Sequence, residues 1–132
     1  MQEATLAGNE LKVAEILEKI HDREIPFLTY RDENSLSCVI TLCYLKARDD
    51  YDIEREDTSG KGYVDFLFTP KKKRYPPIIL ELKYGHSSEE AISQIKRKNY
   101  IQKVDRFSEC ILVGISYDKE KHHQCKIEKI VR

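Results

Sequence analysis

The chain has 132 residues, 40% of them hydrophobic and 35% charged, with 23 basic and 23 acidic side chains. This predicts one soluble globular domain with a single core, and no apolar stretch approaches the ~20 residues that a membrane span requires, so no membrane partner is expected. The charge is unevenly spread: residues 1–60 hold 7 Lys and Arg against 14 Asp and Glu, and residues 61–132 hold 16 against 9, which predicts a basic face on a chain of zero net charge.

Residues 9–21 form the first predicted helix, with Leu11, Ala14, Ile16, Leu17 and Ile20 on its apolar side. Residues 23–30 contain Pro26 and read as a connection. A second helix is expected over about 32–46, capped by Asp32 and apolar along Leu36, Val39, Ile40, Cys43 and Ala47. Glu33 falls on the same inward face, three residues before Leu36; the competing reading is a carboxylate favoured in the first turn by the helix dipole. Residues 51–56 can form a short, acid-rich edge strand, followed by a turn over 57–62. Two apolar strands, 63–69 and 77–84, flank a loop carrying Lys71, Lys72, Lys73 and Arg74. Ser87-Ser88-Glu89-Glu90 opens a helix over about 89–103 with a capping box. Strands at 110–117 and 124–131 follow, joined by a turn. The order αβββαββ from residue 32 predicts an α/β (α+β) fold, a mixed sheet flanked by helices. Residues 1–26 are expected to be an N-terminal helix and connector, and 27–132 the domain proper.

A strand turns residues i and i+2 to one side, so Glu81 and Lys83 share a face and Leu82 points away. An acid and a lysine near the end of a buried strand are costly unless they pair or bind something. Asp65 lies in the preceding apolar strand, Tyr63-Val64-Asp65-Phe66-Leu67-Phe68. If these strands are neighbours, two carboxylates and an ammonium converge. Two carboxylates beside an open position suit a hard dication such as Mg²⁺. A lysine beside that ion can orient or deprotonate water and stabilise developing negative charge. Taken alone, Glu-x-Lys equally describes a structural salt bridge.

Four runs extend the pattern: Gly60-Lys61-Gly62-Tyr63-Val64-Asp65; Ile79-Leu80-Glu81-Leu82-Lys83; Ala91-Ile92-Ser93-Gln94-Ile95 with Lys98-Asn99-Tyr100; and Ile111-Leu112-Val113-Gly114-Ile115-Ser116-Tyr117. Together they resemble the PD-(D/E)XK nuclease superfamily, in the bacterial branch typically found as the C-terminal domain of proteins with an AAA-ATPase-like N-terminal part. The resemblance spans roughly residues 27–130. There are two departures: Tyr63 stands where many relatives carry Arg, and Val64 where the superfamily name places Pro.

The resemblance implies a restriction-endonuclease-like αβββαβ core and hydrolysis of phosphodiester bonds in nucleic acid. It implies Mg²⁺ (or Mn²⁺) on Asp65 and Glu81, with Glu33, the Leu82 carbonyl and water as further donors. Lys83 would align the attacking water, and Gln94 would orient Lys83, water or a phosphate. Lys96, Lys98, Tyr100, Lys73 and Arg74 are the candidate substrate contacts, two basic clusters flanking the site in sequence, with solvated surface charge as the competing reading. An ATPase-like partner domain, in cis or trans, and a dimer are further expectations. The alternative is a catalytically inactive module that binds nucleic acid or a protein partner, including as a C-terminal fragment of an ATPase-like protein. DNA or RNA, endo- or exonuclease action and any sequence preference are not encoded in these motifs.

Cys38, Cys43 and Cys110 lie in apolar runs, and no C-x-x-C spacing occurs. Free buried thiols in a reducing, cytoplasmic setting are expected. His122-His123-Gln124-Cys125 lacks a second pair at zinc spacing and reads as a solvated turn.

Overall fold

The structure is a computed structural model that describes residues 1–24, 33–58, 63–97, 106–117 and 123–131. Five strands form one mixed sheet in the order β1 (Tyr51–Thr58), β2 (Tyr63–Pro70), β3 (Ile78–Tyr84), β4 (Glu109–Tyr117) and β5 (His123–Val131). The β1–β2, β2–β3 and β4–β5 pairs are antiparallel, and β3 and β4 are parallel. A parallel pair needs a crossover, here supplied by helix α4 (Ser88–Arg97).

The two faces of the sheet are covered differently. Ile78, Leu80 and Leu82 of β3 and Ile111, Val113 and Ile115 of β4 enter the main core with Val13 and Leu17 of α2 (Glu10–Glu24) and Val39 and Ile40 of α3 (Glu33–Cys43). The alternate residues, Ile79 and Leu112, meet Ile92 and Ile95 of α4 in a smaller cluster on the other face. Burial of nearly every residue on both sides explains why β3 and β4 read as continuous apolar runs.

The predicted element order is found, with differences at the ends. A helix at Gln2–Leu6 (α1) was not expected. Five residues are too few to show a helical period, and tertiary contacts hold it: Thr5 Oγ1 and Tyr44 OH lie 2.7 Å apart, and Gln2 Nε2 donates to Asp50 Oδ2 at 2.9 Å. The predicted helix over 32–46 ends at Cys43 and gives way to a 3-10 turn, Leu45–Asp49, which turns Tyr44 and Ala47 into the core. Asp32, its expected cap, lies outside the described residues.

Ser87 does cap α4: its Oγ accepts the Glu90 N–H at 3.1 Å. The reciprocal half of the box is replaced, because the Glu90 carboxylate turns to His86 Nδ1 at 3.1 Å. Cys38 corrects an expectation of burial: it is exposed on α3, next to the inward Val39 and Ile40. All four cysteines are free thiols, and burial pushes those of Cys43 and Cys125 up to about 11 and about 12.

Helix α2 seals the outer edge of β5. Glu10 Oε2 accepts the Ile127 N–H at 2.9 Å, and Glu18 Oε1 accepts the His123 N–H at 2.9 Å. Eight helical residues rise about 12 Å and four strand residues about 13 Å, so the two glutamates match two outward-facing amides. Two of the donors that an edge strand would otherwise expose are thereby satisfied by side chains.

Candidate functional site

Three neighbouring strands build the site. Asp65 on β2 and Glu81 on β3 are direct register partners in an antiparallel pair. Partners of this kind have Cα atoms about 4.5–5.5 Å apart. Glu81 and Lys83 alternate with Leu80 and Leu82, which enter the main core, so the acid and the lysine are on the α4 face. Both are buried, Glu81 at 0% and Lys83 at 4% exposure. Glu81 is itself engaged, yet its Oε2 is shut off from solvent and accepts no hydrogen bond among the described residues. A buried carboxylate and a buried ammonium on one strand face are a concentration of charge that packing alone does not explain.

Strand β4 and α4 complete the surroundings. Gly114 is the register partner of Glu81 on β4, and Ser116 that of Lys83. A Cβ on Gly114 would fall 2.4 Å from the Ser88 carbonyl oxygen and 3.0 Å from the Ala91 Cβ. Only glycine therefore lets the first turn of α4 lie flat on the sheet beside Glu81. The turn leading there passes through Gly85, whose φ of +78° suits glycine and whose N–H donates to the Tyr117 carbonyl at 2.9 Å.

Gln94 is half-buried on α4, bordered by the buried Ala91, Ile92 and Ile95. Its direction follows from Lys96, whose Nζ reaches Glu128 Oε1 on β5 at 2.8 Å. Two residues apart is about 200° around a helix, so Gln94 leaves from the flank of α4 opposite Lys96. Lys96 thus makes a surface ion pair on the β5 side.

The loop after β2 is also placed. Lys71 Nζ donates to the Arg48 carbonyl at 2.8 Å, and Lys72 Nζ to Asp50 Oδ1 at 2.6 Å. Arg74 stacks over Tyr75 at 4.9 Å. The loop precedes Ile78, whereas Lys83 lies near the other end of β3; five strand residues span about 17 Å. The structure therefore does not bring Lys73 and Arg74 to Glu81 and Lys83.

Glu33 opens α3, whose Val39 and Ile40 pack on the opposite face of the sheet from Glu81. The side chains of Glu33 and Asp65 lie outside the described set, as do Gly60-Lys61-Gly62, Lys98 and Tyr100. Among the described residues no group of three or more His, Cys, Asp or Glu is placed to hold a metal ion.

A family model described as PD-(D/E)XK nuclease superfamily matches residues 31–127. The chain belongs to this superfamily. Its mixed five-stranded sheet with flanking helices is the restriction-endonuclease-like arrangement of PD-(D/E)XK proteins. No curated protein matches the chain. No described helix is long and apolar enough to cross a membrane.

Sequence reasoning missed a second polar cluster, on the other face at the same end of the sheet. His123 is buried at the start of β5, which corrects the reading of this residue as part of a solvated turn. Its Nδ1 lies 2.6 Å from Glu18 Oε1, and its ring stands 5.6 Å from His21 and 4.9 Å from Tyr117. Burial raises the Glu18 carboxyl, but hydrogen bonds from the His123 backbone and ring and the nearby imidazole charges bring it below its ordinary value. The only sequence signal was the i, i+8 spacing of Glu10 and Glu18, meaningless until β5 is known to lie alongside.

Proposed function

We propose that the domain is a metal-dependent nuclease whose site is built on Asp65, Glu81 and Lys83. The observation that carries this reading is the direct Asp65–Glu81 register beside a buried Lys83, within a PD-(D/E)XK fold. Oxygen donors fit Mg²⁺ or Mn²⁺, both hard ions, and such an ion, when bound, neutralises phosphate charge and makes a water more acidic.

The protein's own groups do the rest. Asp65 and Glu81 would hold the ion. Lys83 orients the attacking water and stabilises negative charge on the reacting phosphate. Gln94, whose amide has both donors and an acceptor, holds a water or phosphate oxygen from the flank of α4 opposite Lys96. Exposed Lys73 and Arg74, and Lys98 and Tyr100 beyond α4, would contact more distant nucleotides. A cytoplasmic role beside an ATPase-like domain, in cis or trans, accords with the motif resemblance and with the free thiols.

A cleavage assay on single- and double-stranded DNA and RNA with Mg²⁺ or Mn²⁺, beside a Lys83→Ala control, tests the reading. Cleavage that requires the ion and Lys83 supports it. Binding without cleavage in the wild type returns the domain to an inactive binding module.

A further inference from the structure

Ser116 is completely buried, and its Oγ has no hydrogen-bond partner among the described residues. Buried hydroxyls are nearly always satisfied, so an exception this close to a charged site calls for a reason. In the parallel β3–β4 register Ser116 faces Lys83, on the α4 side of the sheet. The other β4 residues on that side are Cys110, Leu112 and Gly114, so Ser116 presents the only hydroxyl of the strand there. Lys83, at 4% exposure, has little freedom to leave for solvent.

Lys83 and Glu81 stand two residues apart on one face, about 6.6 Å between Cα atoms. A dication held by Asp65 and Glu81 repels an ammonium at that range, and strongly so in a buried setting. The ammonium must then find another acceptor on its own face. Ser116, one strand over, supplies one.

We propose that Ser116 is a positioning residue: its hydroxyl accepts the Lys83 ammonium when a divalent cation occupies the Asp65–Glu81 position. The serine keeps the lysine beside the ion yet off the carboxylates. This rests on the metal-site reading above and deepens it.

Mn²⁺ binding measured by calorimetry, with no nucleic acid present, tests the idea. Ser116→Ala should weaken Mn²⁺ by about tenfold, the effect of losing one hydrogen bond to a charged group. Its melting temperature without metal should stay unchanged or rise, since the buried hydroxyl that is removed has no partner among the described residues. In a Lys83→Met background, or Lys83→Gln should that variant fold poorly, Ser116→Ala should change Mn²⁺ affinity no further. Wild-type affinity in Ser116→Ala overturns the proposal and leaves the metal site standing. The same loss with and without Lys83 overturns it too, because the serine would then act on the ion directly. A wild-type protein that binds no Mn²⁺ overturns the metal-site reading and this inference together.

Discussion

The two faces of β3 divide the labour of the domain. One presents Ile78, Leu80 and Leu82, each at 0% exposure, to helices α2 and α3. The other begins the same way at Ile79 and then changes to Glu81 and Lys83 beneath the first turn of α4. Burial is nearly equal on both faces, so exposure does not separate core from site. Chemistry does: the apolar face gains free energy from leaving water, whereas the charged face loses solvation and recovers it only through partners. A site built this way is held by its neighbour face, which supplies stability that the charges do not.

That contrast can be broken from either side. The largest effect on activity is expected from Lys83→Ala, which should lower cleavage by roughly 10²–10³-fold, the usual range for losing one preorganised donor to developing negative charge, with the folded state retained by circular dichroism. Leu80→Ala, one strand face away, should instead cost about 2–5 kcal/mol in chemical denaturation, through lost transfer energy and a cavity. If Lys83→Ala unfolds the protein while cleavage per folded molecule survives, the division is wrong.

Gly114→Ala sharpens the boundary between the two. The new Cβ meets the Ser88 backbone oxygen at 2.4 Å, an atom that cannot rotate away. Displacement of α4 should cost about 1–3 kcal/mol and should also lower cleavage, because the helix roofs Glu81. Gln94→Ala is the milder companion: reduced turnover with little change in melting temperature, since a half-buried border residue contributes little packing. Unchanged cleavage there would return Gln94 to the surface.

The smallest effect concerns the Glu18–His123 contact on the apolar side. The Glu18 carboxyl is held below its ordinary value, so the folded state binds its proton less readily than the unfolded chain does. Its stabilisation is therefore present at neutral pH and lost as pH falls through the carboxylate range. Glu18→Gln should flatten the acid limb of the stability–pH curve measured by urea denaturation. An unaltered acid limb would mean that the contact is geometrically present but energetically neutral.

Element order, strand identity and the facing of Glu81 and Lys83 follow from local rules. Period-two patterning, the Ser87 cap and the apolar runs of β3 and β4 each act over a few residues, and a sequence records such things directly. The motif spacing likewise carried the family, now matched over residues 31–127. What lay beyond the sequence was set by contacts between distant segments. The pairing of Asp65 with Glu81 depends on strand order; the seal of β5 by Glu10 and Glu18 depends on where α2 docks; and the burial of His123 depends on both. The basic loop shows the same limit in reverse. Lys71–Arg74 stands near Glu81 in sequence, but a strand is stiff and extended, so a few residues along it carry the loop to the opposite end of the sheet. Sequence proximity measures path length along the chain, and tertiary packing alone converts it into distance.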